Sequence, residues 1–212
     1  MCKARVNKPG ESIELFKRVL ELNPKDFEAN IEIAKNYDQT DPKFALVYYE
    51  KALAIMKAEG DGQAPPEILI NVGTLCLEVG KIDEAKPSFM EAIEVCDRLL
   101  ATLPGESQEA LRVKAIKITA RFNLGYWYEV KGLFAEATEA YKAIKQEEPT
   151  YLDAYLRLAY MARERGAEQK AFDLLEDAKV KANKQAPVYQ FCIKGKMLLD
   201  LNFTNESYKE YK

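Results

Sequence analysis

The chain has 212 residues, with 31 Lys plus Arg against 34 Asp plus Glu and a net charge of −3. That balance leaves no basic footprint for nucleic acid, and no apolar run is long enough to cross a bilayer. Histidine is absent, which removes Ser-His-Asp and Cys-His nucleophile activation, imidazole base catalysis and most catalytic zinc sites.

Apolar periodicity and turn residues predict helices, in chain order, at 11–22, 27–39, 43–58, 66–79, 82–102, 107–131, 134–147, 152–165, 168–182, 187–200 and 204–212. That makes about 11 helices and an all-α fold. The start, "MCKARVNKPGES", lacks the apolar core of a secretory signal, so an intracellular protein is expected. The first helix, "ESIELFKRVLEL", closes at Pro24. Between the third and fourth lies "AEGDGQAPP", a loop by its Gly, Asp and Pro content, whose Pro65 and Pro66 suit the start of a helix.

The helices recur at a fixed interval. Moving the segment "LGYWYEVKGLFAEATEAYKAIKQEEP" along by 34 residues carries Leu124, Gly125, Gly132, Ala137 and Tyr141 onto Leu158, Ala159, Gly166, Ala171 and Leu175. Val72, Gly73, Gly80, Ala85 and Phe89 repeat the offsets upstream, as do Ile33, Ala34, Ala45 and Tyr49 with one residue missing from the turn. At the C-terminal end Gly195, Ser207 and Tyr211 repeat them in part. Period and pattern are those of the tetratricopeptide repeat.

Each position has a steric reason. Small residues at the eighth place (Ala34, Gly73, Gly125, Ala159) and the twentieth (Ala45, Ala85, Ala137, Ala171) let two helices of a hairpin approach closely. Tyr49, Phe89, Tyr141 and Leu175, one turn further on, fill the space to the next hairpin. Gly80, Gly132 and Gly166 supply the left-handed backbone of a tight interhelix turn. No hairpin buries its apolar face alone, so the pattern predicts a TPR-type alpha-alpha superhelix with a partner groove.

The expected organisation is one solenoid segment over 1–212. It has a partial repeat at 11–26, repeats at 27–58, 66–102, 107–151 and 152–185, and a partial repeat at 187–212. Beginning and ending in mid-unit, it reads as excised from a longer protein. The interval between Gly73 and Gly125 is 18 residues too long, so the two helices within 82–131 are expected to project past the body as an overlong hairpin turning at Leu103 to Ser107. That hairpin is either a partner contact or a lid over an adjacent repeat.

Little in the chain suggests chemistry. Cys2, Cys76, Cys96 and Cys192 are far apart with no C-x-x-C pair, which favours packing over metal binding. Acid pairs such as Asp83 with Glu84 and Glu147 with Glu148 lie on expected solvent faces or helix starts. Trp127 lies between Tyr126 and Tyr128, but Tyr128 faces the hairpin in this register, which argues against a stacking platform for bases. No catalytic residue, metal or cofactor is expected, and the chain is not expected to be an enzyme.

The candidate site is the groove. Its lining positions include Ile70, Asn71, Thr74, Asn123, Tyr126, Glu129, Arg157 and Tyr160. Of these, Asn71, Thr74, Asn123, Tyr126, Arg157 and Tyr160 form the hypothesised partner-binding set. The amides of Asn71 and Asn123 can hold the backbone of an extended peptide, and Arg157 can pair with an acidic side chain or a terminal carboxylate. The residues at positions five and nine do not complete the clamp by which chaperone C-termini are captured, so a cytoplasmic co-chaperone or other peptide adaptor is the alternative.

"EANIEIAKNYDQTDPKFAL" with its shortened turn, "APPEILINVGTL", the overlong hairpin, "ITARFNLGYWYE" and "PTYLDAYLRLAYMARERG" together resemble one scaffold family. It is the large tetratricopeptide-repeat subunit of the RNA polymerase II-associated factor (PAF) complex, and the resemblance covers roughly Asn23 to Phe203 with both breaks in the period. The resemblance implies a nuclear, non-enzymatic scaffold that gathers other polymerase-associated factors, supports transcription elongation and promotes histone modification. No direct contact of this segment with nucleic acid, and none with membrane, is expected.

Overall fold

A computed structural model describes residues 9–59 and 63–182. Among the described residues all regular structure is helical: α1 Pro9–Leu22, α2 Phe27–Tyr37, α3 Pro42–Glu59, α4 Pro66–Glu78, α5 Ile82–Thr102, α6 Gln108–Val130, α7 Phe134–Glu147, α8 Leu152–Glu164 and α9 Glu168–Ala182. Their ends agree with the sequence expectation to within two residues. The helices expected at 187–200 and 204–212 lie outside the described residues. The chain divides into two compact units, Met1–Trp127 and Tyr128–Lys212.

In the first unit α2 packs on α3 and α4 on α5, with α1 beside α2 and α3 beside α4. In the second, α8 packs on α9 and α7 beside α8. The repeat positions carry this packing. Ala34, Ala45, Ala85, Ala137, Ala159 and Ala171 are fully buried, and Tyr49, Phe89 and Tyr141 are buried to the same degree, with Leu175 close behind. Burying a side chain of that size contributes about 1.5–3 kcal/mol. The approach is closest at Gly73, where a Cβ would stand 2.5 Å from the Phe89 ring. Only a residue without a side chain lets α4 and α5 meet there.

Three turns share one hydrogen-bond pattern. Gly80, Gly132 and Gly166 have φ of 84°, 74° and 73°. The amide after each glycine reaches back to a carbonyl of the preceding helix: Lys81 to Cys76, Leu133 to Tyr128 and Ala167 to Ala162, at 2.8, 2.8 and 3.0 Å. Each glycine amide caps a second carbonyl, that of Leu77, Glu129 or Arg163. This is the Schellman ending, which satisfies carbonyls the helix leaves without partners. At its start α4 uses proline: Pro65 occupies the N-cap position and Pro66 opens the helix, where a missing N–H costs nothing.

The long hairpin covers a neighbour within its unit. Its arms, α5 and α6, are 21 and 23 residues long. They are tied together by Lys117 to Asp97 at 2.5 Å and by the Trp127 indole N–H donating to the Ile82 carbonyl at 2.6 Å. Ala110 and Val113, in the extra turns of α6, are buried. Ala92, Val95 and Ala120 join Ala64, Leu69 and Ile70 in one core cluster against which Leu99 and Ile116 pack. Arg112 reaches Glu67 at 2.8 Å. The extension therefore packs over the start of α4 instead of projecting past the body, because its apolar residues are buried there. Ile70, expected in the groove, is a core residue at 7% exposure, because this extra apolar layer needs a counterpart on α4.

Candidate functional site

In the first unit a line of polar contacts crosses the helix pairs. The Asn71 amide on α4 donates to the Tyr49 hydroxyl at 3.2 Å, and that hydroxyl donates to an Asp38 carboxylate oxygen at 3.3 Å. Asp38 sits at the shortened turn, immediately after α2. Burial, and next the Asp38 charge, push the Tyr49 phenol up to about 12. Burial also holds the Asp38 carboxyl above its ordinary value, with the Tyr49 hydrogen bond working the other way. The other Asp38 oxygen, Oδ1, is buried with no hydrogen-bond partner.

The second line runs beside it. The Thr74 hydroxyl donates to the Ile70 carbonyl at 2.9 Å and accepts from the Asn123 amide on α6 at 3.4 Å. Asp38, Gln39, Asn71, Thr74, Leu75 and Glu78 line a polar cleft of about 200 Å³. Of the sequence-selected residues, then, Asn71 and Thr74 share a cleft, Asn123 touches it through Thr74, and Tyr126 is 41% exposed on α6. One amide N–H of Asn71 is already used, which leaves its carbonyl and second N–H for a partner. Trp127 is buried, whereas Tyr126 beside it is exposed.

In the second unit Arg157 and Tyr160 are brought together. The Arg157 guanidinium lies 5.2 Å from the centre of the Tyr160 ring, a stacking distance. The same guanidinium pairs with both oxygens of Glu129: Nε donates to Oε1 at 2.8 Å and Nη2 donates to Oε2. Glu129, another expected groove position, is only 9% exposed. A carboxylate so far from water requires a cation. The acid that Arg157 was expected to take from a partner is thus supplied by its own chain. Burial, and next the Glu129 carboxylate, push the Tyr141 phenol well above its usual range.

Sequence reasoning missed Asp38, Gln39 and Glu78, and treated Tyr49 and Tyr141 as apolar filler. One signal was present: Tyr where Phe would fill the same space carries a hydroxyl that needs a partner when buried. Cys76 and Cys96 are buried free thiols. Among the described residues no group of three His, Cys, Asp or Glu side chains could hold a metal ion, and no helix is long and apolar enough to cross a membrane.

The tetratricopeptide-repeat family matches residues 66–97, which cover α4 and most of α5. Over 171 residues, 76% of this chain, the sequence is 31% identical to the RNA polymerase-associated protein CTR9 of Caenorhabditis elegans. Over 191 residues, 79% of the chain, it is 26% identical to the CTR9 homolog of Arabidopsis thaliana. The chain spans 15% and 17% of the lengths of these two relatives. Among solved structures, the tetratricopeptide protein YrrB aligns over 85% of this chain and 81% of its own with a TM-score of 0.62 at 19% identity. The type IV pilus biogenesis factor PilW aligns over 95% and 82%, with a TM-score of 0.65 at 19% identity. At such identities these structures attest to the fold alone. The chain has the tetratricopeptide-repeat fold, and its sequence is similar to that of the CTR9 proteins over three quarters of its length.

Proposed function

We propose that this chain is a protein-binding segment of a nuclear transcription-elongation scaffold. In this reading it is a single run of repeats from a longer protein that assembles polymerase-associated factors and supports histone modification on transcribed chromatin. The observation that carries the reading is the 31% identity to a CTR9 protein over 171 residues, a stretch far longer than the one repeat that the general family pattern matches. Its work is binding rather than catalysis. Asn71, Thr74, Asn123 and Tyr126 in the first unit, and Tyr160 in the second, stacked on an Arg157 that Glu129 holds, offer amides, a hydroxyl and aromatic faces of the kind that hold extended backbone and side chains of other proteins.

The co-chaperone alternative draws less support, since Arg157, the cation it would use for an acidic terminus, is engaged by Glu129. Affinity purification of the tagged parent protein from nuclear extract tests the reading. Polymerase-associated factors are expected among the co-purifying proteins. Recovery of chaperones without those factors would sink it.

A further inference from the structure

On α7, α8 and α9 a cleft of about 190 Å³ has a floor that includes Leu158, Met161 and Leu174 and a rim of Lys142, Lys145, Arg165 and Lys170. No acid lines it. In a chain of net charge −3 that is a local inversion. Lys142 and Lys145 pair with Glu139 and Asp177, each at 2.7 Å, neither of which belongs to the lining. Arg165 and Lys170 are exposed and form no ion pair among the described residues. A second cleft of about 260 Å³ shares Met161 and Arg165 with the first and adds Phe134 and Tyr160, which are 49% and 41% exposed, together with one acid, Glu164, which pairs with Arg163 at 3.5 Å.

We propose that this surface captures an acidic segment of a partner protein, with one large apolar side chain of that segment seated between Met161 and Leu174. Charge complementarity selects the occupant. Arg165 and Lys170, whose charges no acid offsets among the described residues, repel a basic segment and attract one whose apolar anchor is flanked by Asp and Glu, while Lys142 and Lys145 can exchange their own-chain acids for those of the partner. Size argues the same way, because the cleft is smaller than the roughly 300–1,000 Å³ usual for small-molecule sites and suits a single side chain. The exposed Phe134 and Tyr160 extend the apolar contact beyond the anchor. The proposal rests on the reading of this chain as a protein-binding segment, though not on which complex it serves.

The test is fluorescence anisotropy of the purified chain with a labelled synthetic peptide carrying Asp and Glu on both sides of a central Leu-Phe pair. Saturable binding is expected. It should weaken about tenfold when the central pair is replaced by Ser, and by at least as much in the R165E/K170E variant, whose helical circular dichroism should be unchanged. Rising salt should weaken it too. The same two reversals in the first unit, K43E/K51E, should leave it intact. Absence of saturable binding overturns the proposal, as does binding indifferent to the Leu-Phe pair or to R165E/K170E. Arg165- and Lys170-dependent retention on phosphatidylserine vesicles, with no peptide binding, would assign the surface to lipid and equally overturn it. If the peptide fails while the parent still recovers polymerase-associated factors, this inference alone falls.

Discussion

Arg157 on α8 holds Glu129, 28 positions earlier at the end of α6, through two parallel hydrogen bonds. The Glu129 side chain is 6% exposed and that of Arg157 30%. Arg157→Ala would therefore strand a buried carboxylate, at a cost of about 2–4 kcal/mol, toward the lower side of the range for fully buried pairs. The double variant Glu129→Gln with Arg157→Met should recover most of that loss. Urea denaturation of the three proteins checks this, and a single variant as stable as the parent would contradict the structural role given to Arg157.

Two glycines should fail for different reasons. Gly73→Ala gains helix propensity of about 1 kcal/mol but drives a methyl to within 2.5 Å of the buried Phe89 ring, an overpacking cost of about 1–3 kcal/mol. Gly132→Ala meets nothing within 4 Å and pays only for its left-handed backbone, about 1–2 kcal/mol. Combining Gly73→Ala with Phe89→Leu should soften the first loss. Nothing of the kind should rescue Gly132→Ala, although Gly132→Asn should cost less. Thermal unfolding of the set separates the two causes.

Asp38 gives the fold an acid-side dependence on pH. Burial raises its carboxyl above the ordinary 3.8, so the folded protein binds that proton more tightly than the unfolded chain does. Its contribution is fully favourable below the unfolded value and is lost as pH rises through the higher folded one. Asp38→Asn keeps an acceptor for Tyr49 and discards the charge. It should stabilise the protein at about pH 7, by less than ~1 kcal/mol because the residue as a whole is only half-buried, and the gain should vanish near pH 3. Paired denaturation curves at the two pH values give the answer.

Cys76 and Cys96 should be chemically silent in the folded state. Burial, followed by the Glu84 carboxylate, pushes the Cys76 thiol up to about 11, and burial followed by Glu67 does the same for Cys96. At about pH 7.5 the thiolate fraction is then below roughly one in a thousand, and the sulfur is enclosed as well. Native protein treated with a maleimide and mapped by mass spectrometry should show both unmodified, and urea should release them. Rapid native labelling of either would mean that the core around it opens readily.

The helices, their ends and the three Schellman glycines were legible because each follows from a rule that acts over a few residues. Gly80, Gly132 and Gly166 announce a left-handed ending to their neighbours alone, and the alternation of Ala with Tyr or Phe four places on reflects the pitch of a single helix. The 34-residue interval then says which helices pair. The polar site was another matter: position within a repeat put Ile70, Glu129 and Arg157 on one open face, and two of the three are buried.

The reason is range. A periodic pattern records what every repeat needs, namely small residues where helices cross and large ones where hairpins meet, so fold class and element order can be read from 212 letters. Whether a given polar group is still available to a partner depends on residues that no repeat rule connects, such as Asn123 and Thr74 at a separation of 49, or Arg112 and Glu67 at 45. Those pairings arise when helices of set length and crossing place two side chains within about 3 Å of one another, a result of packing rather than of spacing.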